Sequence, residues 1–191
     1  KHNIKNVDLK NNRKNTWGTG LIFNHEIDSI QNVTVAAGFT RQISENANKT
    51  AYYSNAYALG LAYNFVHTTY GLDLAHKDTK NKGGAGNKVK NNEVTAVIRQ
   101  GLNEDWNVYA MYSYKTEKTL PVGSAYSKST DRQFLVGTEY YVFKQGSVKV
   151  KPFIEWQATR TKYENTFDKD SGKQLDRSRD FKTVIGLRAY W

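Results

Sequence analysis

The sequence predicts an all-β protein: an antiparallel up-and-down transmembrane β-barrel of about ten strands, built by residues 1–191 as a single domain. Three observations carry this expectation. Apolar and polar residues alternate with a period of two along most of the chain, and helical periodicity is absent. The connections between the alternating segments are by turns long and polar, then short. No stretch approaches the roughly 18 consecutive apolar residues of a membrane helix, so only strands could cross a bilayer.

The strands are expected near 3–10, 16–24, 32–42, 51–65, 68–77, 92–101, 106–116, 132–143, 148–160 and 180–191. The first alternates poorly around Ile4, Val7 and Leu9. The others are plain. Val33, Val35, Ala37 and Phe39 alternate with Thr34, Ala36 and Gly38, and Tyr57, Leu59, Leu61 and Tyr63 with Ala58, Gly60 and Ala62. Val108, Ala110, Tyr112 and Tyr114 alternate with Tyr109, Ser113 and Lys115. Ile154 and Trp156 alternate with Phe153, Glu155 and Gln157, and Phe181, Ile185, Leu187 and Trp191 with Lys182, Gly186 and Arg188. Aromatic and β-branched content agrees with strands throughout. Long connections are expected around 11–15, 43–50, 78–91, 117–131 and 161–179, and short ones around 25–31, 66–67, 102–105 and 144–147. With ten strands, both termini fall at the short-turn end. The segment 77–90 (KDTKNKGGAGNKVK) reads as a flexible exposed loop.

Alternation alone does not say which face is sheltered, and a soluble barrel with apolar residues inside has the same period. Composition points the apolar face outward. The opposite face is too small and too charged to fill a dry core, because each unpaired buried charge is costly. Aromatics gather near the short-turn end at Tyr63, Phe65, Trp106, Tyr140, Phe143 and Trp191, as in an interfacial girdle. The chain carries 13 Tyr, 8 Phe and 4 Trp beside 28 Lys and Arg, with a net charge of +10. It begins at Lys1, so an exported form is expected to have lost its signal peptide.

On the polar face, Lys77, Arg99, Lys115, Lys149, Lys151, Lys182 and Arg188 stand against Asp73, Glu93, Glu139, Glu155 and Asp180, a modest basic excess. If that face lines a lumen, these charges set selectivity, and a basic track would favour acidic sugars. The same charges could instead pair across a narrow barrel and plug it. Arg41 and Arg160 share the parity of the lipid-facing residues near the long connections, where a contact with lipopolysaccharide phosphates is expected. Nucleic acid is an unlikely partner on this pattern, since the basic residues do not interleave with aromatics on one face.

Absence of cysteine excludes disulfides and thiolate metal sites, and no HxH or His–carboxylate cluster suggests a metal. His2, His25, His67 and His76 lack an evident nucleophile at a lumenal or rim position, so the chain is not read as an enzyme and needs no cofactor.

The ending FKTVIGLRAYW resembles the closing strand of Gram-negative outer-membrane barrels, an apolar-alternating strand with a terminal aromatic. By that resemblance Trp191 serves as the signal read by the barrel assembly machinery, and the chain belongs in the outer membrane. A narrower likeness covers about the last 100 residues. LNEDWNVYAMYSYK, VKPFIEW and FKTVIGLRAYW resemble the small monomeric porins of the oligogalacturonate-specific family, which includes the sialic acid channel. Membership implies a twelve-stranded monomeric barrel passing acidic oligosaccharides along lumenal cations. By parity these would be Arg99, Lys115, Lys149, Lys151, Lys182 and Arg188, with Glu139 and Glu155 among them. The competing expectation is a closed barrel whose long loops bind a host or surface partner.

Overall fold

In a computed structural model of the protein, the structure describes residues 12–45, 51–82, 87–121, 123, 125–167 and 172–191. It is all-β. Ten strands follow in chain order: β1 (Asn12–Asp28), β2 (Gln31–Glu45), β3 (Ala51–Phe65), β4 (Thr68–Lys82), β5 (Lys88–Gly101), β6 (Trp106–Leu120), β7 (Ser127–Tyr140), β8 (Phe143–Gln145), β9 (Val148–Glu164) and β10 (Arg177–Tyr190). Every pairing is antiparallel, and the order across the sheet is β1-β2-β3-β4-β5-β6-β7-β9-β10, with β8 also on β9. This is the up-and-down meander expected from the alternation. Among the described residues no pairing joins β1 to β10, so those two strands form the sheet's edges.

Strand β8 is the continuation of β7 past an irregularity. Glu139 pairs with Phe153, whereas Phe143 pairs with Val150. Four steps along one strand match three along the other, which is the signature of a β-bulge at Tyr141–Val142. The single strand expected at 132–143 therefore covers one lane of the sheet in two pieces. The strand expected at 3–10 lies outside the described residues. The described chain enters β1 at the long-connection end and leaves β10 at the tight-turn end.

Turn lengths alternate as expected. The tight end holds 29–30, 66–67, 102–105 and 146–147, and the far end holds 46–50, 83–87, 121–126 and 165–176. At 146–147, Gly146 has a φ of 58°, the left-handed geometry that primed hairpin turns need. Neighbouring tight turns are tied together by their backbones: the Val66 amide donates to the Ile30 carbonyl at 2.9 Å, and the Gly101 amide to the His67 carbonyl at 2.8 Å.

The far connections are shorter than the sequence suggested, because the strands run on past their apolar stretch. In 77–90, the expected loop is largely the arms of the β4–β5 hairpin, where Lys77 pairs with Asn91, Asp78 with Lys90 and Lys80 with Lys88. Ladder hydrogen bonds join backbone groups whatever the side chains, so a strand continues where both faces have turned polar and alternation has vanished.

Burial is inverted relative to a globular sheet. Among the described residues no apolar side chain is buried, while Leu21, Leu59, Phe134, Ile154, Ile185 and many like them are exposed. The buried polar side chains are Ser113, Thr130, Glu139 and Lys151.

Val66, at the tip of the β3–β4 turn, holds a φ of 53°. A β-branched residue is disfavoured there by about 1–2 kcal/mol. Val66→Gly is expected to stabilise the fold by about 1 kcal/mol, visible as a higher thermal midpoint in detergent, provided the Val66 amide bond to Ile30 is kept.

Candidate functional site

Register brings the polar-parity residues of β5, β6, β7, β9 and β10 onto one face. Arg99 faces Tyr109, Tyr109 faces Gly137, Gly137 faces Glu155, and Lys151 faces Arg188. The cluster that results is centred on the Glu139 carboxylate, which is 4 % exposed. Its Oε1 accepts from Arg99 Nη2 at 2.6 Å and from Lys151 Nζ at 2.8 Å, and its Oε2 accepts from Arg188 Nη1 at 2.8 Å. Arg188 Nη2 donates to Glu155 Oε1 at 2.6 Å, and the Tyr109 hydroxyl donates to the same oxygen at 2.6 Å. Three cations, two carboxylates and a phenol thus form one connected network.

Two glycines make room for it. A Cβ on Gly137 would lie 2.6 Å from the Tyr109 ring, and one on Gly186 would lie 2.6 Å from the Phe153 ring. Each ring therefore lies flat across a neighbouring strand instead of standing into the space above the sheet. Phe153 in turn carries the Arg188 guanidinium, 4.1 Å from its centroid. Lys151 sits between the rings of Tyr141 and Tyr190, 5.0 and 5.3 Å from their centroids. Aromatic faces attract cations, so the rings hold the charged groups as well as shield them.

The network is polarised. Glu139 and Lys151 are shut in, whereas the Arg99 and Arg188 side chains are 43 % and 37 % exposed. A molecule approaching this face meets guanidinium groups and not the carboxylate that anchors them. Guanidinium donors in fixed orientation suit carboxylate or phosphate oxygens.

Of the polar-face residues singled out by parity, Arg99, Glu139, Lys151, Glu155 and Arg188 come together here. Lys115 does not join them: it stands between Glu93 and Asp131 in the register, nearer the long connections. Lys149 faces Tyr190 and Lys144 at the tight-turn end, and Lys182 faces Gln157. Register also adds Glu117, Asp131 and Lys144 to the polar face, so its two signs are closer to balance than the sequence count suggested. Tyr109 and Tyr141 were missed as members. The signal for Tyr109 was a large ring on an otherwise small polar face, opposite a glycine.

Beside the cluster the polar face changes character. Across β1 to β4 it carries Gly18, Gly20, Gly38, Ala58 and Ala75, which floor a hollow of about 750 Å3 bordered by Lys77 and Lys115 and by Glu93 and Glu117. A second hollow of about 330 Å3 continues between Glu93, Ser113, Asp131, Gln133 and Gln157. The β1–β4 half of the face is thus richer in small residues, with Asp73 and Lys77 its charges on β4, and the other half carries the charge network.

The remaining expected positions lie on the opposite, apolar face. Arg41 faces Trp17 and Asn55, several strands away from Arg160. Trp191 ends the chain 90 % exposed. His76 is there too: its Nδ1 lies 2.6 Å from Asn92 Oδ1 and its Nε2 3.3 Å from Asp78.

Fold and site together define the class: an up-and-down antiparallel sheet, apolar on its exposed side, with a fixed charge network on the other. No family model, curated protein or solved structure matches the chain.

Removing the Glu139 carboxylate leaves three cations facing one another with Lys151 still buried. Glu139→Ala is expected to destabilise the fold by about 3–5 kcal/mol, because a buried charge loses its counterion. Glu139→Ala/Lys151→Met is expected to recover part of the loss. Urea unfolding in lipid vesicles checks both; equal stability of Glu139→Ala and the parent would contradict the network's role.

Proposed function

We propose that the chain is a Gram-negative outer-membrane β-barrel that passes small polar solutes by diffusion, acidic oligosaccharides among them. The observation that carries this reading is the inversion of the sheet: its large apolar side chains are exposed, while the charged side chains it buries, Glu139 and Lys151, lie on its polar face. In water such exposure would be costly, at roughly 25 cal/mol for each Å2 of apolar surface left wet. Against lipid it is stabilising. The dimensions support the same reading. On β9 the outward residues are apolar from Val148 to Ala158, and on β10 from Phe181 to Ala189 with Thr183 the one exception. About 9–11 tilted residues cross a bilayer core. Strands of 14 to 17 residues leave polar hairpin arms beyond that belt.

A channel needs a path, and the small residues of β1–β4 supply one beside the charge network. The exposed Arg99 and Arg188 guanidiniums would face that path as a fixed cationic wall, with Lys115, Lys149 and Lys182 along the rest. Carboxylates of an acidic sugar could exchange between such donors, since Arg99 is already held by Glu139 and Arg188 by Glu139 and Glu155, so that each binds the solute weakly enough to release it. The resemblance of the last 100 residues to oligogalacturonate-specific porins agrees in solute class.

Reconstitution in a planar lipid bilayer tests the proposal. Discrete current steps are expected, with a reversal potential in a salt gradient that shows anion preference and a conductance reduced by acidic oligosaccharides. Arg99→Gln/Arg188→Gln is expected to cut the anion-to-cation permeability ratio severalfold while steps persist. Absence of steps from folded protein at any voltage would overturn the channel and leave the long connections as the functional part.

A further inference from the structure

Among the described residues, the basic surplus does not lie on the polar face. It lies on the outward face, at the long-connection edge of the apolar belt, and its densest part is a single row across three strands. Arg132 of β7 pairs with Arg160 of β9, and Arg160 pairs with Arg179 of β10. All three share the parity of the exposed apolar residues Phe134, Trp156 and Phe181. Side chains directly opposite one another in a sheet have Cβ atoms about 5 Å apart, and like charges there repel. The row is therefore unfavourable on its own.

Its neighbours show what is missing. One step further from the belt, Lys162 has Glu164 at 3.7 Å and Arg177 has Asp176 at 3.6 Å. Among the described residues, no carboxylate pairs with Arg132, Arg160 or Arg179. Arg132 has only the Tyr114 ring, 5.9 Å from its guanidinium carbon. On the other side of the row lies an aromatic surface: Phe134 meets Trp156 edge-on at 6.4 Å, and Trp156 stacks with Phe181 at 6.2 Å. Three uncompensated guanidiniums thus border a continuous exposed aromatic patch.

We infer that Arg132, Arg160 and Arg179 form a binding site for the phosphate groups of a phosphorylated lipid, whose acyl chains lie along Phe134, Trp156 and Phe181. The chemistry of each half selects the ligand. Guanidinium forks bind phosphate oxygens in pairs, and a row about 10 Å long, two inter-strand spacings, suits a head group carrying more than one phosphate. The aromatic patch excludes a free anion as the full ligand, since it would remain uncovered. Arg41, once coupled with Arg160 on sequence grounds, has no such row beside it. The inference rests on the membrane reading, because only in a bilayer do head group and acyl chains meet the protein in this order.

The test uses the full chain folded in detergent micelles and native mass spectrometry. Three probes are compared: a bisphosphorylated glucosamine lipid, the same lipid with its phosphates removed, and inorganic phosphate. The parent protein is expected to retain the phosphorylated lipid. Arg132→Gln/Arg160→Gln/Arg179→Gln is expected to retain it on the order of a hundredfold less well. Arg41→Gln should bind as the parent does, and the dephosphorylated lipid should bind parent and triple variant equally weakly. Circular dichroism confirms that each variant is folded, and Arg160→Gln alone, expected to lose severalfold, serves if the triple variant is not.

Equal retention by parent and variant overturns the site while leaving the membrane reading intact. Inorganic phosphate that displaces the lipid at micromolar concentration overturns the lipid and leaves an anion site. A chain that is monodisperse without detergent and ignores liposomes overturns the membrane reading itself, and the site with it.

Discussion

The inter-strand ladder is what the rest of this molecule depends on. With no buried apolar side chain among the described residues, there is no core to hold the strands together in the usual sense. Each strand is instead committed to its neighbours over nearly its whole length; β3, for example, pairs from Ala51 to Phe65 on both sides. Between its two edge strands a sheet so paired satisfies its backbone polar groups internally, which is what a chain placed in hydrocarbon needs; the outer ladder groups of β1 and β10 are the exception. It also frees the side chains from packing duty, so the two faces can be specialised without regard to each other.

That freedom shows in how unevenly the polar face is furnished. Glycine and alanine crowd the middle of its β1–β4 half, and a charge network occupies its β5–β10 half. The network is possible because of the small residues within it: Gly137 and Gly186 let Tyr109 and Phe153 lie down, and the lowered rings leave space for Arg188 to reach both carboxylates. Glu139 then does for the cations what a hydrophobic core does elsewhere. It fixes positions, and it does so by charge.

Much of the fold was legible in the alternation, since a period of two with an aromatic outer face needs no long-range information. Strand ends were not legible, because beyond the apolar belt both faces of the β4 and β5 arms are polar and the pattern disappears. Parity alone put Arg99, Glu139, Lys151, Glu155 and Arg188 on one face. It could not say that they touch, since Arg188 and Glu139 are 49 residues apart in the chain and Tyr109 and Glu155 are 46 apart. Contact depends on register, and register depends on turn lengths and on the bulge at Tyr141–Val142, which no local pattern reveals. The row of Arg132, Arg160 and Arg179 escaped for the same reason: each looks like an isolated strand-end cation until the three lanes are aligned.

The cations of the described strands therefore divide into two populations with different physics. The polar-face cations around Glu139 are compensated from within the protein, because Glu139 and Lys151 are shut away from water and an unpaired charge there would be costly. Arg99, Lys151 and Arg188 accordingly converge on Glu139. Cations on the outward face, such as Arg132, Arg160, Arg179 and Lys90, are open to counter-charge from outside the protein: aqueous ions, or lipid head groups on the membrane reading. Placing them opposite one another costs the isolated protein stability, and the cost is recovered only when an anion is present. A sheet that ties Arg99, Lys151 and Arg188 to carboxylates of its own and leaves Arg132, Arg160 and Arg179 without one is, on the membrane reading, electrically fitted to an anionic surface around it.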